Sequence, residues 1–217
     1  MELQYLQRIM DARFFFLFLL AYAPIKLCAQ KTSLSFYAGI TNSHIKNCDG
    51  YWGYTCGVDI DRPLSDKESS IYVGAGLQLA NQGWKDKLYD ISLQNKYTWT
   101  CNLYYLKLPL HLGYQYAPNK DLSLSTSLGP YFAYGLTGKS EIKKYEDSLP
   151  DEGNPFTNNV YKHFDIGWHM QIGTTFKQHY KVAISYTFGM RNPTQKGWKA
   201  LSRKDRTINF TLGYVIN

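Results

Sequence analysis

What this chain lacks narrows its identity most. After the first 30 residues no apolar run is long enough to cross a bilayer as a helix, so any membrane crossing by the mature chain must use strands. No long segment follows the 3.6-residue period, which removes helical bundles from consideration. A Gly-rich phosphate loop, a CxxC pair and His-rich ligand spacing are all missing, so neither a nucleotide cradle nor a metal centre is expected, and no cofactor is implied. There is no basic helix. The formal charge of +7 falls mostly in connecting segments such as "GKSEIKKYED" and "LSRKDR", so it reads as solvated loop charge and no nucleic-acid partner is expected. Charge is scarcest where a soluble protein needs it, in the alternating segments themselves.

Those segments dominate what is present. In "YYLKLPLHLGYQY" the residues Leu106, Leu108, Leu110, Leu112, Tyr114 and Tyr116 alternate with Tyr105, Lys107, Pro109, His111, Gly113 and Gln115. The same pattern recurs in eight segments, from near Leu34 to Ile216. Their second faces are small or polar: Ser35, Tyr37, Gly39 and Thr41, then Asp165, Gly167, His169, Gln171 and Gly173, for example. Small polar residues fit the crowded bore of a narrow barrel, which leaves the apolar faces for lipid. A lipocalin-like soluble binder would reverse the two faces. Aromatics make up 16% of the chain, with 19 tyrosines, as expected of a membrane barrel with interfacial aromatic belts.

Connection lengths agree. "PLSDKE", "APNKD" and "KQHYK" are compact turns, whereas the stretches around Lys46 and over 81–99, 139–162 and 192–205 read as longer loops. Short turns on one side and long loops on the other mark an outer-membrane barrel with the loops outside and both termini in the periplasm. The expected fold is an all-β, eight-stranded antiparallel up-and-down transmembrane β-barrel, residues 31–217, after a cleaved signal peptide, residues 1–30. The leader has Arg13, then an apolar run from Phe14 to Ala23 too short to span as a helix, with cleavage expected near Ala29 or Gln30. Met10 is an alternative start. Leu27 stands before Cys28 where a lipoprotein signal wants a small residue, so lipidation is not expected.

Three cysteines remain after processing, an odd count. Cys56 reads as a small buried hydrophobe, while Cys48 and Cys101 lie on one side of the barrel, where a bridge between them is conceivable. Pro109 and Pro130 each remove a ladder donor, and a bulge at each is the simplest accommodation. Lys107, His111, Asp59, Asp165 and His169 are expected to form a polar network in the bore, with Lys107 paired to Asp59 or Asp165. His169 and Asp165 also invite a second reading, a Ser–His–Asp enzyme that modifies lipid A. Such an enzyme needs its catalytic group at the lipid-facing rim, and these two side chains are expected to point inward. His44, His163 and His179 lie in or beside connections and read as solvated. Trp52, Trp99, Tyr114, Tyr116 and Trp168 read as interfacial anchors, and Trp84 and Trp198, in long loops, as binding anchors.

From the fourth segment onward the chain resembles the PorT-like outer-membrane β-barrel family of the Bacteroidetes. The matching pieces are "YLKLPLHLGYQY", "SLGPYFAYGLTG", "FDIGWHMQIGTTF", "AISYTFGMRN" and "INFTLGYVIN". Lys107 stands where that family places an acidic residue before the "LP" step, which implies an inverted salt bridge in the bore. The resemblance implies an outer-membrane barrel and, for the founding member, a link to protein secretion; that the barrel works without catalysis is expected from the inward-facing polar residues. The expected partners are outer-membrane lipid and lipopolysaccharide, with a protein partner at the outer loops.

Overall fold

The computed structural model describes residues 32–45, 48–65, 69–90, 95–144, 153–157, 161–191 and 204–216. The leader expected at 1–30, Trp198 and most of the connection 192–205 lie outside them. Eight strands follow in order: β1 (Ser33–His44), β2 (Asp49–Pro63), β3 (Ser70–Asp90), β4 (Asn95–Asn119), β5 (Leu122–Lys144), β6 (Phe164–Phe176), β7 (Tyr180–Gly189) and β8 (Arg206–Ile216). Each pairs antiparallel with its chain neighbour, and β8 closes on β1 from Leu34↔Ile216 to His44↔Arg206. Closure leaves no sheet edge through the barrel wall, a condition for strands in lipid.

The period-two pattern decides which face goes where. Ile172 is 71% exposed and Leu212 68%, while Thr41 and Thr207, on the opposite face, are 0% exposed. Leu106, Leu108, Leu110 and Leu112 all point outward; Lys107 and His111 between them are buried. The reversed, lipocalin-like arrangement therefore does not occur. Phe36, Val58, Leu77, Leu128, Ile184 and Phe210 extend the apolar exterior around the wall. Two aromatic belts bound it. One contains Tyr114, Tyr116, Phe176, Tyr180 and Tyr214, the other Trp52, Tyr54, Tyr134, Phe164 and Trp168, all exposed. Along β4 the belts are separated by roughly ten residues, which at about 3.3 Å each and a tilt near 45° gives about 23 Å, close to the ~25 Å apolar band of membrane barrels.

The turn end of the barrel carries both chain termini of the wall and three short connections. Lys120 and Asp121 turn β4 into β5, with Asn119 Oδ1 accepting from the Asp121 and Leu122 N–H groups at 3.0 and 2.8 Å. Lys177–His179 turns β6 into β7. There the His179 N–H donates to Phe176 O at 3.0 Å, and Lys177 and Gln178 take positive φ of 47° and 63°. Neither is the Gly or Asn that such a primed turn prefers.

Several expectations need correction. The stretches 81–99 and 139–162 are not simply loops: β3, β4 and β5 run on past the barrel rim, paired from Asn81↔Tyr104 to Asp90↔Asn95 and from Tyr104↔Thr137 to Tyr97↔Lys144. No bulge marks either proline. The ladders merely pause, from Ala75↔Leu110 to Gln78↔Lys107 and from Pro109↔Tyr131 to Leu112↔Leu128, with the register unchanged. A missing N–H costs a bond, not a residue. The irregularities lie between Gly50 and Thr55 on β2, at Tyr104/Tyr105 and at Tyr116/Asn119. Cys56 is exposed on the outer face, so it is a small apolar contact for lipid and no part of a protein core. No disulfide links the described cysteines.

Candidate functional site

The bore is filled by side chains in two charged groups. Nearer the turn end, His111 Nε2 lies 2.7 Å from Asp61 Oδ1, and Lys181 Nζ lies 3.8 Å from Asp61 Oδ2. Asp59 faces the same two side chains, Lys181 and His111. Nearer the loop end, the Lys107 ammonium stands 5.1 Å from the centroid of the Tyr131 ring, a cation–π contact. Tyr131 Oη in turn donates to Asp165 Oδ2 at 3.0 Å.

The expected Lys107 ion pair is thus replaced by a relay. Asp165 and Asp205 are the carboxylates whose charge reaches Lys107, while Asp59 belongs to the other group. Asp61, Lys181, Tyr131 and Asp205 complete the network and were missed, although Asp61, Lys181 and Tyr131 share the inward parity of Asp59, Ser185 and Ser127. His169 lies between the groups, buried, and its Nδ1 makes no hydrogen bond within the protein, nor does Asp165 Oδ1. An Asp–His hydrogen bond, needed for a catalytic triad, is not formed by these two residues. His111 Nδ1, Ser127 Oγ and Thr187 Oγ1 are likewise buried without a protein partner; groups of this kind are usually satisfied by water.

Above these groups the loop end is closed by an aromatic plug. Ile45, Trp84, Cys101, Leu103, Tyr105, Tyr131, Ala133, Phe156 and Tyr161 form one buried cluster, with Cys48 and Trp99 packed against it. Trp84, expected as an exposed loop anchor, is instead 1% exposed, because β3 continues and turns it inward. Its Nε1 donates to Tyr161 Oη at 2.8 Å, and its ring meets Trp99 edge-on at 5.0 Å. Trp99, expected at the lipid interface, also faces inward and donates to Ser140 Oγ at 2.7 Å. Segment 153–157 returns over the mouth: Phe156 packs edge-on against Tyr105 at 5.7 Å, and Ser140 bridges to Gly153. The irregularity in β2 leaves part of β3 without its usual ladder partner, and β1 reaches across. Ser43 Oγ donates to Gly83 O at 2.9 Å and accepts the Gly83 N–H at 2.7 Å, while Thr41 Oγ1 donates to Asn81 O at 2.8 Å.

The histidines at the ends are held by stacking. His163 Nδ1 is 2.8 Å from Gly135 O, with the ring stacked on Tyr134 and Phe156. His179 Nδ1 is 3.0 Å from Val215 O, stacked on Tyr214. Both are exposed, as expected of connections.

Beyond the plug, β3, β4 and β5 form a three-stranded projection. Its inner face carries Trp84, Trp99 and Cys101. Its outer face carries Lys85, Thr100 and Glu141 in one paired row and Lys87, Thr98 and Lys143 in the next. Lys139 and Lys143 both approach Glu141, at 2.7 and 3.5 Å, and Lys87 reaches Asp49 at 2.8 Å. The hydrogen bond from Lys139, with the charges of Lys139 and Lys143, holds the Glu141 carboxyl below its ordinary range.

A barrel with this wall, these belts and a filled bore is built for a membrane, and comparison with known proteins says which. Residues 28–195 match the family model described as outer membrane protein beta-barrel domain. The chain belongs to that family. It is an outer-membrane protein, and by the usual asymmetry of such barrels the short turns are periplasmic and the projection extracellular. Among solved structures, Neisserial surface protein A matches at 8% identity and TM-score 0.47, covering 85% of this chain and 96% of that one. OprG from Pseudomonas aeruginosa matches at 10% identity and TM-score 0.47, covering 87% and 97%. The outer membrane enzyme PagL matches at 12% identity and TM-score 0.42, covering 85% and 99%. A search of curated proteins gave no match.

Proposed function

We propose that this outer-membrane barrel works without catalysis, as a structural or interaction module that meets its partners through the extracellular projection. We place it in the PorT-like branch of Bacteroidetes barrels, exported by a leader that is removed, with a role in secretion or envelope assembly. One observation carries the reading: three of the eight strands continue past the aromatic belt as a paired sheet, stiffened from within by the Trp84–Tyr161 plug. A rigid platform of this kind presents a surface at little entropic cost on binding.

The bore supports the same conclusion. Lys107, His111, Asp59, Asp165 and His169 are buried among barrel side chains, on the inner side of the wall and away from its lipid-facing residues. Their role in this reading is to hold the barrel's cross-section. A lipid A-modifying enzyme would need them at the rim.

The test is to replace residues 85–100 by Asn-Gly, a two-residue turn between the paired residues Trp84 and Cys101. The trimmed barrel is expected to keep its resistance to unfolding in detergent before boiling, yet to fail to complement a deletion strain. Full complementation would remove the projection from the function. A changed lipid A acyl pattern on expression of the intact chain, lost in His169→Ala, would replace this reading by the enzymatic one.

A further inference from the structure

Several buried side chains of the bore keep a hydrogen-bonding atom that the protein does not meet, and three of them fall in one series around the wall. His111 on β4 and His169 on β6 flank Gly129 of β5, which carries no side chain. Both histidines are 7% exposed, and Nδ1 of each makes no hydrogen bond within the protein. Across β7 from His169 stands Thr187, 2% exposed, its Oγ1 also unmet. Thr187 pairs with Thr207 on β8, whose Oγ1 donates to Asp205 Oδ2 at 3.3 Å. Neighbouring strands are about 4.8 Å apart, so each step is one that a side chain or a single water can bridge. The two ends of the series reach opposite sides of the barrel. At the turn end His111 Nε2 lies 2.7 Å from Asp61 Oδ1, and the Asp61 side chain is 16% exposed against 3% for His111. At the loop end Asp205 is half-buried, and the Gly189 N–H donates to its carbonyl at 2.9 Å. The aromatic plug leaves this side of the wall free. Its residues come from β3, β4, β5, Ile45 and the returning segment, and among the described residues none belongs to β6, β7 or β8.

We propose that Asp61, His111, His169, Thr187, Thr207 and Asp205, with the waters that complete their hydrogen bonds, form a proton-conducting path through the bore, with His169 as its central relay. This activity goes beyond the role of the projection and does not depend on it. Buried polar atoms without a protein partner are met by water, and unmet atoms in series hold waters in series. An imidazole can accept a proton at one ring nitrogen and give up the proton on the other. Toward the turn end, His111 takes a proton at Nδ1 from a water and releases the Nε2 proton to Asp61 Oδ1, which passes it to solvent. The threonine hydroxyls act likewise, each accepting a proton and handing on its own. Rotation of the hydrogen-bonded groups then resets the chain. One proton enters from water at one face and one leaves to water at the other, with no other bond changed. A bore filled by side chains leaves no room for a hydrated ion, so the path carries protons alone.

The experiment uses the full mature chain, folded into phosphatidylcholine vesicles that enclose a pH-sensitive dye and potassium, with valinomycin present to balance charge. A step in external pH is applied and the internal pH is followed. Wild-type vesicles are expected to equilibrate faster than protein-free ones, while potassium leakage without valinomycin stays at the protein-free level. His169→Leu is expected to slow the protein-dependent flux by roughly 100-fold, the cost of one apolar break in the chain. Thr187→Val is expected to slow it comparably, and Thr187→Ser to leave it near wild type. The threonine pair separates conduction from damage to the fold. Replacing an unmet buried hydroxyl by a methyl group is neutral or stabilising, so resistance to unfolding before boiling is expected to hold in Thr187→Val while the flux falls. Wild-type vesicles no faster than protein-free ones, potassium leakage that keeps pace with the protons, or a Thr187→Val variant that conducts like wild type would each overturn the proposal.

Discussion

Removing one hydroxyl at Ser43 should cost more than its size suggests. Ser43 is fully buried, and it both donates to Gly83 O and accepts the Gly83 N–H across the gap left by the β2 irregularity. In Ser43→Ala two hydrogen bonds go at once, each worth about 1 kcal/mol net, and two backbone groups of β3 are left orphaned, each at a penalty of about 1–3 kcal/mol. A part of that penalty is relieved by local adjustment or water, which gives a loss of about 2–4 kcal/mol. Thr41→Val, which removes only the bond to Asn81 O, should cost about 1 kcal/mol. Equilibrium unfolding in urea from lipid vesicles, followed by tryptophan fluorescence, reads the difference. With a slope of about 2 kcal/mol per molar, Ser43→Ala should lower the midpoint by about 1 M or more. If Ser43→Ala cost no more than Thr126→Ala on the exposed outer face, the cross-gap bridge would have no structural weight and the description of this end of the barrel would be wrong.

Other outcomes follow from the same geometry. Gly129→Ala should be destabilised by about 3 kcal/mol or fail to fold, because its Cβ would stand 1.9 Å from Leu110 O, a backbone atom that cannot step aside; Gly189→Ala, whose Cβ finds nothing nearer than 3.4 Å, should fold normally, and refolding yields compare them directly. Lys177→Asn with Gln178→Gly relieves two positive-φ residues and should stabilise the barrel by about 1 kcal/mol in the same urea assay. Trp84→Ala empties the plug at its largest side chain and should cost about 3–5 kcal/mol if the barrel unfolds as one unit, with faster hydrogen exchange in the projection than in β6 to β8.

The wall was legible because lipid imposes one simple rule on it. Every outward position between the belts must be apolar, and a narrow bore wants small or polar partners, so alternation in "YYLKLPLHLGYQY" reveals strand, face and surroundings together. Above the belt that rule lapses. "NQGWKDKLYD" pairs as regular strand with 95–104, yet its outward positions, Lys85 and Lys87 among them, are polar and exposed, so the segment looks like loop. The inward parity persists nonetheless: on β4 Trp99, Cys101, Leu103 and Tyr105 continue the series of Lys107 and His111, and on β3 Gln78, Ala80 and Gln82 lead to Trp84, so following the two series past the belt would have placed both tryptophans inside. Composition gave no access to the Lys107–Tyr131–Asp165 relay. Three strands must close side by side before a lysine on β4 can sit over a ring on β5 that bonds a carboxylate on β6. The prolines show the converse error, for a lost donor was expected to shift the register when the ladder could simply skip it.

Which side of the wall touches hydrocarbon is open to direct measurement. Nitroxide labels placed singly at Leu110, Leu128 and Ile184, on the exposed face, and at Ser127 and Ser185, on the buried one, can be relaxed by oxygen or by a water-soluble nickel complex in bilayer-reconstituted protein. A lipid-facing exterior requires oxygen to dominate at Leu110, Leu128 and Ile184, and labels at Ser127 and Ser185 to be shielded from both or to disrupt folding. Nickel-dominated relaxation at the three apolar positions would place them in water and contradict the barrel's orientation toward its solvent.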